Sequence, residues 1–258
     1  MRGRTALHVV PPVVVLAIAV FVWELAMRLS GAPAYLVPRP SAVLRSIVVD
    51  RSDLLQSLGW TAMAALIGFA ASALVGMFIA VVLSASVWLR LALYPYTLFF
   101  QTVPIVAIAP MLIFWFPPGL APVALCAFIV SVFPVIANTL AGMLSTDPPL
   151  VDLFRLYGAG AIAAMWKLRL PWALPNIFTG LRISAGLAVI GTVVAEFLVG
   201  QIVGKVGLGV RIVSAIHESR TDLAFASVLL ASLLGLAMFG AVNLAAHLAL
   251  RRWHASEQ

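Results

Sequence analysis

Residues 120–145 read LAPVALCAFIVSVFPVIANTLAGMLS, a run without a single Asp, Glu, Lys or Arg. A helix adds 1.5 Å per residue, so about 20 mostly apolar residues cross a hydrocarbon layer ~30 Å thick. This run is long enough. Comparable stretches flank it at 9–28, 58–85, 90–116, 173–199 and 223–249. Each contains Gly or Pro, which membrane helices tolerate better than soluble ones. Small residues recur at helix-packing spacing in Gly68, Ser72 and Gly76, where two helices can approach closely. The pattern predicts an all-α membrane protein with about six transmembrane helices.

Composition leads to the same place. Of 258 residues, 63% are hydrophobic and 10% charged, and mean hydropathy is +1.11. A soluble domain is about half apolar and a quarter charged, so this chain has too little polar surface to cover a globule in water. With six spans and short connections, residues 1–258 form one transmembrane domain and leave no room for a soluble catalytic one. The net charge of +7 fits basic residues gathered at cytoplasmic helix ends. No Lys/Arg run is interleaved with aromatics, so nucleic acid is not an expected partner. Membrane lipid is.

With both termini inside, Arg2, Arg4, Arg90, Arg155, Lys167, Arg169, Arg182, Arg251 and Arg252 fall on the cytoplasmic side. Arg39, Arg45, Arg51, Lys205, Arg211 and Arg220 fall outside, partly offset by Asp50, Asp53, Glu218 and Asp222. The N-terminus begins with two arginines and an apolar stretch too long for a signal peptide, without a small-x-small site after it. It reads as a retained first helix. Cys126 is the lone cysteine, which excludes an internal disulfide or thiolate metal site. His8, His217, His247 and His254 show no ligand spacing, so no metal is expected.

Two stretches are neither plain spans nor plain loops. Residues 35–53 carry Pro38 and Pro40 and then the amphipathic Ala42-Val-Leu-Arg-Ser-Ile-Val-Val, which suits a short helix at the outer interface. Residues 146–171 lie between the fourth and fifth spans. Asp147 is a natural N-cap and Pro148 suits a first helical turn. Leu150, Leu153 or Phe154, Tyr157 and Ala161 then recur at spacings of three and four, forming one apolar face. Gly158 and Gly160 weaken the helix midway, and Pro171 ends the second half. Two short helical pieces with a bend are expected. Periodicity alone allows two uses for such a helix: resting on lipid headgroups or docking into a partner's groove.

Asp152-Leu-Phe-Arg-Leu-Tyr-Gly158, nine residues, then Leu168-Arg-Leu-Pro171 resembles the "EAA" signature of binding-protein-dependent ABC importer permeases: Glu-Ala-Ala, three residues, Gly, nine residues, Ile-x-Leu-Pro. Spacing agrees throughout, and Gly158, Leu170 and Pro171 agree in identity. Leu168 replaces Ile, and Asp152-Leu153-Phe154 replaces Glu-Ala-Ala, keeping the acid and enlarging the small pair. Gln101-Thr-Val-Pro-Ile-Val-Ala-Ile-Ala-Pro110, Phe133-Pro134, Asn138-Thr139, Ala195-Glu196 and Gly207-Leu-Gly209 are similar, in order, to segments of the nitrate/sulfonate/taurine branch. That branch also takes in permeases for thiamine pyrimidine precursors.

The resemblance implies a type I importer permease fold in the bacterial inner membrane, working as a pair, a homodimer being the branch's common form. It implies two ATPase subunits docked on the loop at about 146–171, and a periplasmic or lipid-anchored binding protein delivering a small organic anion or heteroaromatic cargo. The chain has no Gly-x-x-x-x-Gly-Lys-Ser/Thr stretch, so no cofactor is expected in it; ATP and Mg would sit on the partner. For coupling, the resemblance points to Phe154 and Tyr157 as groove-inserting side chains and to Asp152 and Arg155 as polar contacts. Gly158 would permit the bend, with Leu168 and Pro171 setting the turn into the fifth span. No catalytic residue is expected.

Charges inside a membrane are costly and usually functional. Glu196, near the outer end of the fifth span, either lines the pathway or outer gate, paired with Lys205 or Arg211, or is solvated at the interface. Gln101 and Asn138 are polar residues in apolar helices; interhelical hydrogen bonds compete with pathway lining for them. Rival classes fare worse. A gradient-driven transporter usually shows repeats and several buried ionisable groups, and an intramembrane enzyme needs a nucleophile–base pair, whereas Ser131 has no nearby His.

Overall fold

The computed structural model describes residues 2–31, 33, 35–117, 119–203 and 206–250. Helices α1 (Arg2–Leu29), α3 (Arg51–Ala85), α6 (Leu120–Leu144), α10 (Leu174–Val203) and α12 (Thr221–Leu250) are long and apolar enough to cross a membrane. A sixth crossing would be α4 (Val87–Thr102) with α5 (Ile105–Trp115), but these bend by 86° at their junction. The single helix expected over 90–116 is therefore two. The cause is local: Pro104 has no N–H to continue the ladder, and it pushes Val103 (ψ 120°) out of the helical region.

Helix α6 occupies the centre, between α3 and α10. The expected close approach occurs: a Cβ at Gly76 would lie 2.9 Å from the Val135 Cβ, and Ser72 Oγ donates to the Phe128 carbonyl (3.1 Å) beside Ser131 Oγ (2.6 Å). With no hydrophobic drive between helices in lipid, contact of this closeness is what holds the bundle together. Helix α1 lies on the flank with its side chains exposed along the span. It is fastened at its far end, where Glu24 accepts from Ser41 N (3.0 Å) and Oγ (2.9 Å) at the start of α2 (Pro40–Val49), and Trp23 packs on Phe225.

Shorter pieces complete each end. At one end α7 (Pro148–Leu156), α8 (Ala161–Ala164), a π-helical turn (Met165–Arg169) and α9 (Leu170–Trp172) lead into α10. At the other, α11 (Leu208–His217) packs against α10 and α12. The α2–α3 corner is tied to the α11–α12 corner by Arg220, which donates to both Asp50 oxygens at 3.1 and 2.6 Å, and by Arg211 with Asp53 at 3.2 Å.

Two expectations about this part of the chain need correction. Asp147 makes no side-chain cap: Pro148 and Pro149 offer no N–H, and Leu150 N already bonds the Asp147 carbonyl at 3.1 Å. Pro171 does not terminate a helix but sits in the first turn of α9. The widened π turn before it relieves the clash a proline ring makes with the carbonyl four residues back. Arg182, which the charge pattern places on the cytoplasmic side, lies within α10.

Candidate functional site

Helix α7 presents two faces. Leu153, Leu156 and Tyr157, at steps of three and four, stand outward; Leu156 is 85% and Tyr157 84% exposed. Val151, Phe154 and Arg155, on the opposite side, line a cavity of about 500 Å³ with Val81, Trp166 and Arg169. Phe154 is thus turned inward, and Leu156 takes the outward place. Asp152 and Arg155 form an exposed pair at 3.6 Å. Gly158 adopts φ +72°, a conformation that side chains disfavour, and it turns the chain between α7 and α8. Leu168 is buried, and Pro171 half-buried, on the inner side of the run into α10.

The second cluster gathers around Glu196, which is 1% exposed. Thr61 Oγ1 of α3 lies 2.9 Å from each carboxylate oxygen, and Gly209 N donates to Oε2 at 2.9 Å. Thr61 Oγ1 in turn accepts from Leu208 N at 2.9 Å. One buried carboxylate therefore joins α3, α10 and the first turn of α11, whose free N–H groups and positive dipole end favour a negative partner. A Cβ on Gly207 would collide with the Glu196 carboxylate, and one on Gly209 would lie 2.5 Å from the Val193 carbonyl. The two glycines of Gly207-Leu-Gly209 are what let the backbone close over the acid. Arg211 is engaged by Asp53 rather than Glu196, and Lys205 lies outside the described residues.

The remaining candidates are apart from both clusters. Gln101 is exposed near the end of α4, at the break. Asn138 is half-buried on α6, and its Nδ2 donates to the Pro134 carbonyl of its own helix at 2.8 Å, not across to a neighbour. Thr61 escapes a reading of the sequence, because one hydroxyl in an apolar helix carries no distinguishing pattern. Leu156 is legible in principle, since it lies on one face with Leu153 and Tyr157.

Residues 72–253 match the family described as the binding-protein-dependent transport system inner membrane component, and the chain belongs to that family. It is 29% identical to a probable ABC transporter permease protein of Haemophilus influenzae, covering 93% of this chain and 97% of the relative. It is 31% identical to a formylaminopyrimidine transport permease of Halalkalibacterium halodurans (86% and 87% covered) and 32% to a riboflavin transport permease of Chloroflexus aurantiacus (95% and 90%). Permeases named for aliphatic sulfonates, nitrate and taurine are also similar, so the branch expected from the motifs is the right one. The protein is a multi-pass membrane permease subunit of an ABC importer, a transport component rather than an enzyme. Its family works with ATPase and substrate-binding partners.

Proposed function

We propose that α7 is the coupling helix of this permease, inserting Leu156 and Tyr157 into a groove on an ATPase subunit. The observation that carries this is the outward face of α7: large apolar side chains 85% and 84% exposed on a short polar-flanked helix. Side chains of that kind in the open mark a docking surface. Asp152 and Arg155 flank it as polar contacts. Both termini and α7 are on the cytoplasmic side, and α11 is outside, facing a binding protein. Two copies of the chain flank a central pathway, and each takes one ATPase, which holds the ATP and Mg. Closure of the ATPases pushes α7, and the π turn, α9 and α10 transmit the movement as a rigid unit. The cargo is a small organic anion or heteroaromatic compound.

The test is purification of the tagged protein in mild detergent with identification of what comes with it. Recovery of an ATPase subunit that the Leu156→Ala, Tyr157→Ala double variant loses supports the reading. Absence of any ATPase, even after crosslinking, would sink it.

A further inference from the structure

The cavity of about 500 Å³ on the inner side of α7 lies away from the face that carries Leu156 and Tyr157. Its floor is the last turn of α3, where Val81 and Ala85 stand, and its other walls come from α7, α8 and the π turn. Helix α3 is one of the membrane spans and ends at Ala85, so the cavity sits where hydrocarbon gives way to water. Its rim fits that level. Ile162 and Trp166, both exposed, line it, and tryptophan is a residue of the membrane–water boundary.

Two guanidinium groups line the same cavity, Arg155 from α7 and Arg169 from the π turn, and among the described residues no acid does. Arg169 is held in place: its Nη1 donates to the Ser84 carbonyl at 3.2 Å, one of the carbonyls that the end of α3 leaves free. A guanidinium has further N–H donors to give. Arg155 lies 3.6 Å from Asp152, but both side chains are exposed, and a pair of that kind holds weakly. The site therefore offers spare donors of one sign beside apolar walls, at the depth of a lipid headgroup. Arginine forks match phosphate oxygens, and basic pockets between spans are where anionic headgroups bind. The volume is within the range that holds a small organic group.

We propose that this cavity is a binding site for an anionic phospholipid, its phosphate taken between Arg155 and Arg169 and its acyl chains running past Ile162 and Trp166 into the bilayer. The two uses that periodicity allows for α7 then fall on its two faces, lipid on the inner and partner protein on the outer. Only a chain that spans a membrane is required for this, so the lipid site stands apart from the docking of an ATPase.

The test counts lipids on the purified full-length chain by native mass spectrometry, in detergent supplied with equal amounts of phosphatidylglycerol and phosphatidylcholine. The first lipid retained should be phosphatidylglycerol, and Arg155→Gln should reduce that preference roughly fivefold. Arg155 is exposed, so the variant keeps its fold. Ile162→Glu, which leaves both arginines in place and puts a negative charge on the rim, should reduce the preference at least as far. Lys167→Gln removes the same charge from an exposed residue of the π turn that does not line the cavity, and should leave the preference unchanged. The inference is overturned if the native chain shows no preference, if either Arg155→Gln or Ile162→Glu leaves it intact, or if Lys167→Gln lowers it as much as Arg155→Gln. It is also overturned if excess inorganic phosphate displaces the lipid as completely as Ile162→Glu does, which would assign the site to a soluble anion. Failure of the ATPase reading appears separately, as an ATPase missing from the purified native protein.

Discussion

Glu196 and Leu156 sit at opposite ends of the bundle and are treated in opposite ways. The carboxylate, a group that prefers water, is 1% exposed, while the leucine, a group that avoids water, is 85% exposed. Each inversion has a physical reading. Glu196 has its hydrogen bonds inside the chain, from Thr61 and Gly209, so that end is closed on itself and fixes α11 to α3 and α10. Leu156 and Tyr157 are covered by nothing among the described residues, which is the ground for the partner proposed there. Burial of a satisfied polar group makes a joint; exposure of an unsatisfied apolar one makes a socket contact.

Gly207→Ala should do the most damage at the closed end. The added methyl displaces the carboxyl from its donors and leaves a buried polar group unsatisfied in an overpacked contact, at a cost of about 3 kcal/mol. A large fall in the thermal unfolding midpoint in detergent is expected; an unchanged midpoint would mean the acid does not hold this corner. Thr61→Val is milder. It removes one donor to Glu196 and the acceptor for Leu208 N, which should cost about 2 kcal/mol, while Thr61→Ser should recover most of it.

The neighbouring Asp50–Arg220 pair extends the same contrast through pH. The Arg220 guanidinium, hydrogen-bonded to both oxygens, holds the Asp50 carboxyl below its ordinary 3.8. A depressed folded value means the contribution is complete above pH 3.8 and is lost as pH falls through the lowered value. The pair is partly exposed, so about 1 kcal/mol is at stake. Unfolding midpoints measured from about pH 6 down to about pH 3 should fall more in the native chain than in Asp50→Asn, on the scale set by linkage.

The least change in stability is expected at the open end, and there smallness is the point. Leu156→Ala and Tyr157→Ala should change the stability of the isolated permease by no more than about 0.5 kcal/mol, even as they abolish partner recovery. A large destabilisation would show that these side chains pack within the chain after all.

Much of this architecture is written locally. The spans, the short amphipathic helix over Pro40–Val49 and the bend at Gly158 arise from apolar run length, amphipathic period and a glycine, all of which act within a few residues. The break at Val103-Pro104 is equally local and is hidden only because Pro95, Pro110 and Pro134 stay inside helices; proline in a membrane helix does not by itself say whether the ladder fails. The outward face of α7 is legible to within a residue or two, but periodicity does not tell Phe154 from Leu156 as the exposed member.

The order of amino acids is therefore enough to establish that the chain crosses a membrane about six times and bears a short amphipathic helix between its fourth and fifth spans. Those outcomes depend on the free energy of transferring contiguous residues out of water. Packing in three dimensions was needed to join Glu196 to Thr61, 135 residues away, and to leave Arg182 Nε without a partner. A charge's cost depends on what surrounds it in space, and neighbours brought together across such a separation leave no periodic trace in the sequence.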